Sequence, residues 1–344
     1  MTGYFLRRLL LMIPTFLGIT LVVFVVMHFV PGGPIERQIM AYKMAVAGEG
    51  GAGASAGVGF GTELPPDALE ELKRFYGFDK PVHVRYLKWL WNVAKLDLGT
   101  SYVYQDPVWE VIRSRFPVSI FLGVTGFLLS YLVCIPLGVM KAVHHGSRFD
   151  FLSSFVVFLG YSVPGWALGT ALLVLLGGGS FWSVFPLGGF RPDNWEVLSL
   201  WGKVTGQIEH MFLPVVCYMV GSFATETILT KNSLMENLGQ DYVRTAFAKG
   251  LTERRVIFVH ALRNSLIPLV TGFGHVISLI LAGSFLIERV FNIDGMGYLG
   301  YTAILQRDYP VALGILVISS LLMLIGNILS DVIYAVVDPR IRFQ

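Results

Sequence analysis

Six long apolar runs set the pattern of this chain, at residues 9–30, 118–139, 151–176, 211–229, 266–287 and 311–337. Each reaches or exceeds the roughly 20 apolar residues that cross a bilayer core as a helix. The last is interrupted only by Asn327 and Asp331. Barrel strands would instead be segments of about ten residues with alternating character. In lipid the backbone must satisfy its own polar groups, so continuous runs of this length are read as helices. The expectation is an all-α integral membrane protein with six transmembrane helices and one large loop after the first.

The first run is too long for the apolar segment of a signal peptide, and Val30-Pro31-Gly32-Gly33-Pro34 follows it in place of a small-residue cleavage site. It is read as a retained span. The expected organisation is an N-terminal helix (1–30), an extracytoplasmic region (31–116), a core with five spans (117–338) that carries a cytoplasmic loop (231–265), and a short tail (339–344).

Composition agrees. Hydrophobic residues are 54% of the chain and charged residues 14%, against about 25% charged in soluble domains. With the N-terminus inside, segments 1–8, 141–150, 230–265 and 338–344 hold 12 basic and 5 acidic residues. The loops on the other side hold 14 basic and 16 acidic residues. This asymmetry places both termini in the cytoplasm. Cys134 and Cys217 lie in apolar runs and read as packing residues; no disulfide framework or Cys/His metal cluster is present.

The large loop has two parts. Residues 48–61 are Gly-rich and of low complexity, a composition that favours mobility. Beyond them, Pro65-Pro66-Asp67 leads a helix over 68–76 that Gly77 ends. A second amphipathic stretch covers 82–94, with Tyr86, Leu87, Leu90 and Trp91 on its apolar face and Trp89 off it. Asp106-Pro107 starts a third, over 108–115. These short helices either cap the bundle at the membrane interface or form a vestibule over a pore, and both can hold together.

Ionisable residues within apolar runs are candidates for function because burying them is costly. Glu226, beside Thr225, Thr227 and Thr230, and Asp331 either line a polar path or hold helices together. His275 is a further path candidate, and with His28 it also suits an interhelical contact. His144 and His145 are adjacent, so their side chains diverge on a helix and make a poor metal site. Enzyme readings find little support: Ser222 with His275 is the single suggestive pair, and Gly-x-Ser-x-Gly and His-Glu-x-x-His are absent. Gly-x-x-x-x-Gly-Lys-Ser/Thr is absent too, so the chain does not bind ATP through that loop. An ion-coupled secondary transporter is the alternative from another class, although no internal repeat is visible.

A polar island at 236–268 stands between the fourth and fifth runs. With Lys231 it carries Arg244, Lys249, Arg254, Arg255 and Arg263. Residues 234–248 read as a helix stopped by Gly250. Thr252 reads as the N-cap of a second helix over 253–264, and Pro268 opens the next span in its first turn. A helix, a glycine bend and a helix project a basic surface toward a partner, with Ala246 and Gly250 small enough for close approach.

The island resembles the EAA loop of ABC-importer permeases, which runs Glu-Ala-Ala, three residues, Gly, then about nine residues to Ile-x-Leu-Pro. Aligned on Gly250, the triplet is Arg244-Thr245-Ala246, and Ile267-Pro268 stands at the terminal Leu-Pro. The arginine departs from the general pattern and resembles the dipeptide/oligopeptide/nickel branch. Similar signatures are Arg7-Arg8 with Ile13-Pro14, Asp97-Leu98-Gly99-Thr100-Ser101, Arg307-Asp308-Tyr309-Pro310 and Asp338-Pro339-Arg340. Within the branch, Ile135-Pro136-Leu137-Gly138, Gly146-Ser147-Arg148-Phe149-Asp150 and Thr230-Lys231-Asn232-Ser233 are most similar to the Yej-type permeases of peptide and microcin C uptake.

The resemblance implies a type I ABC importer permease fold in the bacterial inner membrane. It implies a non-catalytic subunit moving peptides or peptide-like compounds. It also implies a second homologous permease, two ATP-binding-cassette ATPases that bind ATP and Mg, and a periplasmic substrate-binding protein, with no cofactor on this chain and no nucleic acid among its partners. Arg244, Thr245, Ala246, Lys249, Gly250 and Arg254 would couple to the ATPase. Glu226, His275 and Asp331 would be path candidates. Nickel chelates or cell-wall peptides are alternative cargoes.

Overall fold

The computed structural model describes residues 2–29, 33, 35–36, 39–40, 66–75, 78–178, 181–271 and 283–337. The Gly-rich tract at 48–61, Gly77, His275 and the tail at 339–344 lie outside them. The helices are α1 (Thr2–Phe29), α2 (Pro66–Phe75), α3 (Val82–Ala94), α4 (Val108–Arg113), α5 (Phe116–Val143), α6 (Arg148–Ser162), α7 (Gly165–Leu176) and α8 (Leu200–Leu238). There follow α9 (Asp241–Ala248), a segment α10 that passes from α-helix (Glu253–Arg255) through a π-helical turn (Val256–Ala261) back to α-helix (Leu262–Ser265), α11 (Ile267–Thr271), α12 (Phe285–Val290), α13 (Met296–Leu305) and α14 (Tyr309–Val337).

Four helical stretches among the described residues are long and apolar enough to cross a membrane: Leu6–Met27, Val108–Val143, Leu200–Leu238 and Tyr309–Ile333. The third run departs from the expectation of one straight span. It is broken into α6 and α7, which meet at 96°. Pro164 has no N–H to give and forces Val163 into an extended conformation, φ −99° and ψ 120°. Counted as one span, the pair makes five. Of the fifth run, α11 and the start of α12 are described, and the stretch between them lies outside the described residues, so a sixth span is not seen here.

The described residues form two compact units, those within 1–10, 114–299 and 321–344, and those within 11–113 and 300–320. In the first unit α5 and α8 are the main packing pair. Gly138 allows them to close: a Cβ there would sit 2.6 Å from Thr230 Cβ and 2.9 Å from the Thr227 carbonyl oxygen. Leu122, Met211, Leu213, Val215, Cys217, Ile287, Phe291 and Ile293 form one core of the unit. The free thiols Cys134 and Cys217 are buried, as expected of packing residues.

At 39 residues α8 is far longer than the run at 211–229. It would measure about 58 Å at 1.5 Å per residue, well beyond a hydrocarbon core of about 30 Å. Its start is fixed by Ser199, whose hydroxyl accepts from the Gly202 amide at 3.2 Å. Its end absorbs the first residues of the island. The expected helix over 234–248 is therefore two: α8 stops at Leu238, and α9 begins after Gly239-Gln240. Gln240 is extended, φ −78° and ψ 152°, which ends the helical path. On α6, Phe151, Phe155 and Phe158 are largely exposed, an apolar face suited to lipid or another membrane helix.

In the second unit Phe24, Tyr86 and Leu313 form the core, with Val82, Trp89 and Leu90 packed on it. Tyr86 donates to the Leu17 carbonyl at 3.2 Å and shares a hydrogen bond with Thr20 at 3.0 Å. This corrects the face of α3. Val82, Tyr86, Trp89 and Leu90 follow the i, i+4, i+7, i+8 stripe. Trp89 is thus on the packed face, while Leu87 and Trp91 are exposed at 62% and 63%.

Candidate functional site

The surface that meets the expectation for a partner-facing element is α9. Val243 and Ala246 point inward and are buried with Val139, Ala142, Leu234, Val256, Ile257 and Ala261. Asp241, Tyr242, Arg244, Thr245, Phe247, Ala248 and Lys249 are exposed. The helix ends in a Schellman motif: the Gly250 amide donates to the Phe247 carbonyl at 2.9 Å and the Leu251 amide to the Ala246 carbonyl at 3.4 Å. Gly250 takes φ +76°, the left-handed conformation that the motif needs. Leu251 packs on the same cluster as Ala246.

Of the six residues expected at the coupling surface, Arg244, Thr245, Lys249, Gly250 and Arg254 are exposed. Ala246 is not: at 6% exposure it faces its own chain. Its small side chain lets α9 lie close to α5 and α10, and does not present a surface for close approach by a partner. Thr252 stands at the N-cap position of α10 but its side chain makes no capping hydrogen bond. The π-helical turn inside α10 gives it a backbone irregularity of the kind that often marks functional segments.

Lys231, counted with the basic island, is turned elsewhere. Its Nζ donates to both oxygens of Asp150 at 2.8 and 2.7 Å. Lys141, 1% exposed, reaches the same carboxylate at 3.1 Å and also donates to the Asp150 carbonyl at 3.0 Å, Ser153 Oγ at 2.9 Å and Ser154 Oγ at 2.6 Å. His145 Nδ1 lies 3.2 Å from Asp150 Oδ2, and the Gly146 amide donates to it at 3.2 Å. One buried carboxylate thus ties the ends of α5, α6 and α8 together next to α9. Sequence reasoning missed this knot because Lys231 lies 81 positions from the carboxylate it pairs with.

Of the path candidates, Glu226 is half-buried and hydrogen-bonded by the Tyr131 side chain. Its Oε2 is buried with no hydrogen-bond partner among the described residues. Asp331 is buried and ion-paired with Arg8. His275 lies outside the described residues.

A further carboxylate was missed. Glu288 is fully buried. Its Oε2 accepts from the Tyr298 amide at 2.6 Å, and its Oε1 accepts from Tyr218 Oη and the Ser284 amide, both at 3.2 Å. It therefore anchors the first turn of α13, where free amides and the helix dipole favour a negative charge. Burial raises the Glu288 pKa, and these amides and hydroxyl oppose the shift.

Residues 134–343 match the family model described as the binding-protein-dependent transport system inner membrane component. The chain belongs to this family. That match holds α9, the Asp150 knot, Glu226 and Glu288. Similarity to individual members extends over the whole chain. It is 41% identical to the peptidoglycan transport system permease protein YejB of Agrobacterium fabrum, over 100% of this chain and 99% of the relative. It is also 41% identical to the inner membrane ABC transporter permease protein YejB of Escherichia coli O157:H7, over 100% of both. The dipeptide transport system permease protein DppB of Escherichia coli K12 is 37% identical, again over 100% of both. As a member of this family, the chain is a multi-pass inner-membrane component of a transport system.

Proposed function

We propose that the chain is a membrane permease subunit of an ATP-driven importer of peptides or peptide-like compounds, the cargo class named for its relatives. The observation that carries the mechanism is α9. It is a short helix with one face locked into its own subunit, one face exposed and carrying Arg244, with Lys249 just beyond its end, and a fixed left-handed glycine stop. Such an element can transmit a push without deforming. In this reading it lies in the cytoplasm, with both termini, and Arg244, Thr245, Lys249, Gly250 and Arg254 meet an ATPase subunit.

ATP and Mg are bound by two partner ATPases, a second homologous permease completes the membrane path, and a periplasmic binding protein delivers the cargo. Closure of the ATPases displaces α9. The Asp150 knot carries that displacement into α5, α6 and α8, because its ion pairs join all three. A ligand can bias such a two-state element only by binding its two states differently. Glu226, with a buried oxygen that has no hydrogen-bond partner among the described residues and no cation paired to it there, is the preferred path candidate. The contact of Asp331 with Arg8 favours a structural role for that residue. Cell-wall peptides are a second cargo reading, favoured by the name of the Agrobacterium relative.

The experiment is co-purification of the tagged chain followed by reconstitution into vesicles. Uptake of a labelled tripeptide that needs ATP and is stopped by vanadate supports the proposal. Uptake that follows an imposed ion gradient without ATP refutes it.

A further inference from the structure

The second unit has an open cavity of about 460 Å³ between α3, the loop from Asp97 to Gln105 and the start of α14. Its size falls in the range of about 300–1,000 Å³ typical of small-molecule sites. Four cations line it, Arg74, Lys80, Arg85 and Lys88, against two acids, Asp79 and Asp97. One acid is already engaged, since Asp97 Oδ1 accepts from the Gly99 amide at 2.9 Å.

Arg85 is the distinctive member. Its guanidinium lies 4.4 Å from the centre of the Phe78 ring. Among the described residues its Nε, which is buried, has no hydrogen-bond partner, and no carboxylate forms an ion pair with it. Burial lowers its pKa, and Tyr102, Asp79 and Tyr309 only partly offset the shift. An arginine held against an aromatic ring, partly desolvated and with Asp79 near but not ion-paired to it, is an incomplete pair. A planar carboxylate completes it by accepting two parallel N–H bonds. The wall opposite is pre-organised, because Asp308 binds Ser101 Oγ and the amides of Tyr102 and Val103 from behind. Phe78, Trp89 and Tyr309 add aromatic surface, which suits an organic anion with an apolar body better than inorganic phosphate.

We propose that this cavity is a recognition site for the free carboxylate end of a short peptide, held by Arg85 with the adjoining side chain against the aromatic wall. The assignment rests on the peptide-importer reading for its ligand class. The full chain in lipid nanodiscs is dialysed to equilibrium against labelled Ala-Phe-Ala, against its C-terminal amide, and against the free acid in the presence of inorganic phosphate. The free acid is expected to bind saturably, with the amide at least tenfold weaker. Arg85→Gln should bind the acid at least tenfold more weakly and Arg85→Lys to an intermediate degree. Equal binding of acid and amide by the unchanged protein overturns the proposal, without depending on how any variant folds. Displacement of the acid by equimolar phosphate overturns the peptide assignment. Carboxylate-dependent binding in a reconstituted transporter that shows no ATP-driven uptake supports the site and refutes the importer reading instead.

Discussion

The Ser101 hydroxyl donates to Asp308 Oδ2 at 2.5 Å, joining positions 207 residues apart. Asp308 also accepts from the Tyr102 amide at 3.0 Å and the Val103 amide at 3.3 Å, while Ser101 Oγ accepts from the Tyr104 amide at 2.9 Å. Two signatures far apart in the chain, Asp97–Ser101 and Arg307–Pro310, are thus one structural feature. Asp308 is 1% exposed, so its oxygens have little water to turn to.

Removing that carboxylate strands the Ser101 hydroxyl and the Tyr102 amide, while the Val103 amide keeps Ser101 Oγ at 3.2 Å. Asp308→Ala is expected to lower stability by about 1–3 kcal/mol, the usual penalty for stranding buried polar groups. Ser101→Ala should cost less, because the Tyr102 and Val103 amides keep the carboxylate and the Tyr104 amide alone loses its acceptor. Thermal unfolding of the purified chain in detergent checks the order; a Ser101→Ala loss as large as that of Asp308→Ala would show that the loop is held in another way.

The Asp150 knot gives a sharper contrast. Asp150→Asn leaves the buried Lys141 ammonium without its counter-charge, and breaking such a pair from one side costs about 3–5 kcal/mol. Lys141→Met removes the buried charge itself and leaves Asp150 with Lys231. Its loss should therefore be the smaller, and the double variant Lys141→Met with Asp150→Asn should be less unstable than the sum of the two. A double-mutant cycle on unfolding midpoints reads this directly, and additive losses would show that the two residues do not act as a pair.

Much of the fold was legible because apolar length and punctuation are local signals. Four of the six runs appear as long apolar helices, and α2 begins at Pro66 as its proline-led start implies. Pro164 also carried the signal for the break between α6 and α7, but the unbroken apolar character of 151–176 hid it. The face of α3 was misjudged where Leu87 and Trp91 are as apolar as Trp89, so composition could not choose the packed stripe. Ala246 looked partner-facing because smallness permits approach from either side. Lys231 and Asp150, and likewise Glu288 with the α13 amides, depend on long-range pairing that no local spacing encodes.

Gly250 separates shape from space. Among the described residues nothing lies within 4 Å of a Cβ built there, so within this chain bulk alone is tolerated and the conformation is the constraint. Asn visits the left-handed region readily, and Gly250→Asn should keep both stability and transport. Gly250→Val should cost about 1–2 kcal/mol in the Schellman turn and, under the proposed function, let ATP hydrolysis proceed without uptake. Parallel ATPase and uptake assays in vesicles, with membrane insertion confirmed, distinguish the two. Normal uptake by the valine variant would remove α9 from the coupling role.

The two faces of α9 should respond to different assays. Ala246→Leu overfills the cluster of Val139, Ala142 and Val256 and should destabilise by about 1–3 kcal/mol. Arg244→Ala removes an exposed side chain whose pairing with Asp241, at 3.4 Å, lies in solvent. It should leave the unfolding midpoint unchanged while reducing the ATPase that co-purifies. Equal retention of ATPase by the arginine variant would mean that the partner reads another surface.

Glu226 and Asp331 are both carboxylates within apolar runs, and under the proposed function their different surroundings favour different roles. Asp331 has Arg8 as an ion-pair partner, so Asp331→Asn leaves a cation behind. Arg8 is 38% exposed on its side chain, and solvent limits the loss to about 1 kcal/mol. Glu226 has Tyr131 on one side and an unsatisfied Oε2, so Glu226→Gln keeps the shape and changes only charge and donor pattern. It should alter the rate or selectivity of peptide uptake while the complex still assembles. Size-exclusion chromatography of the co-purified complex and uptake on the same preparation test it: loss of assembly in the glutamine variant would make Glu226 structural, and unchanged transport in that variant would take it off the path.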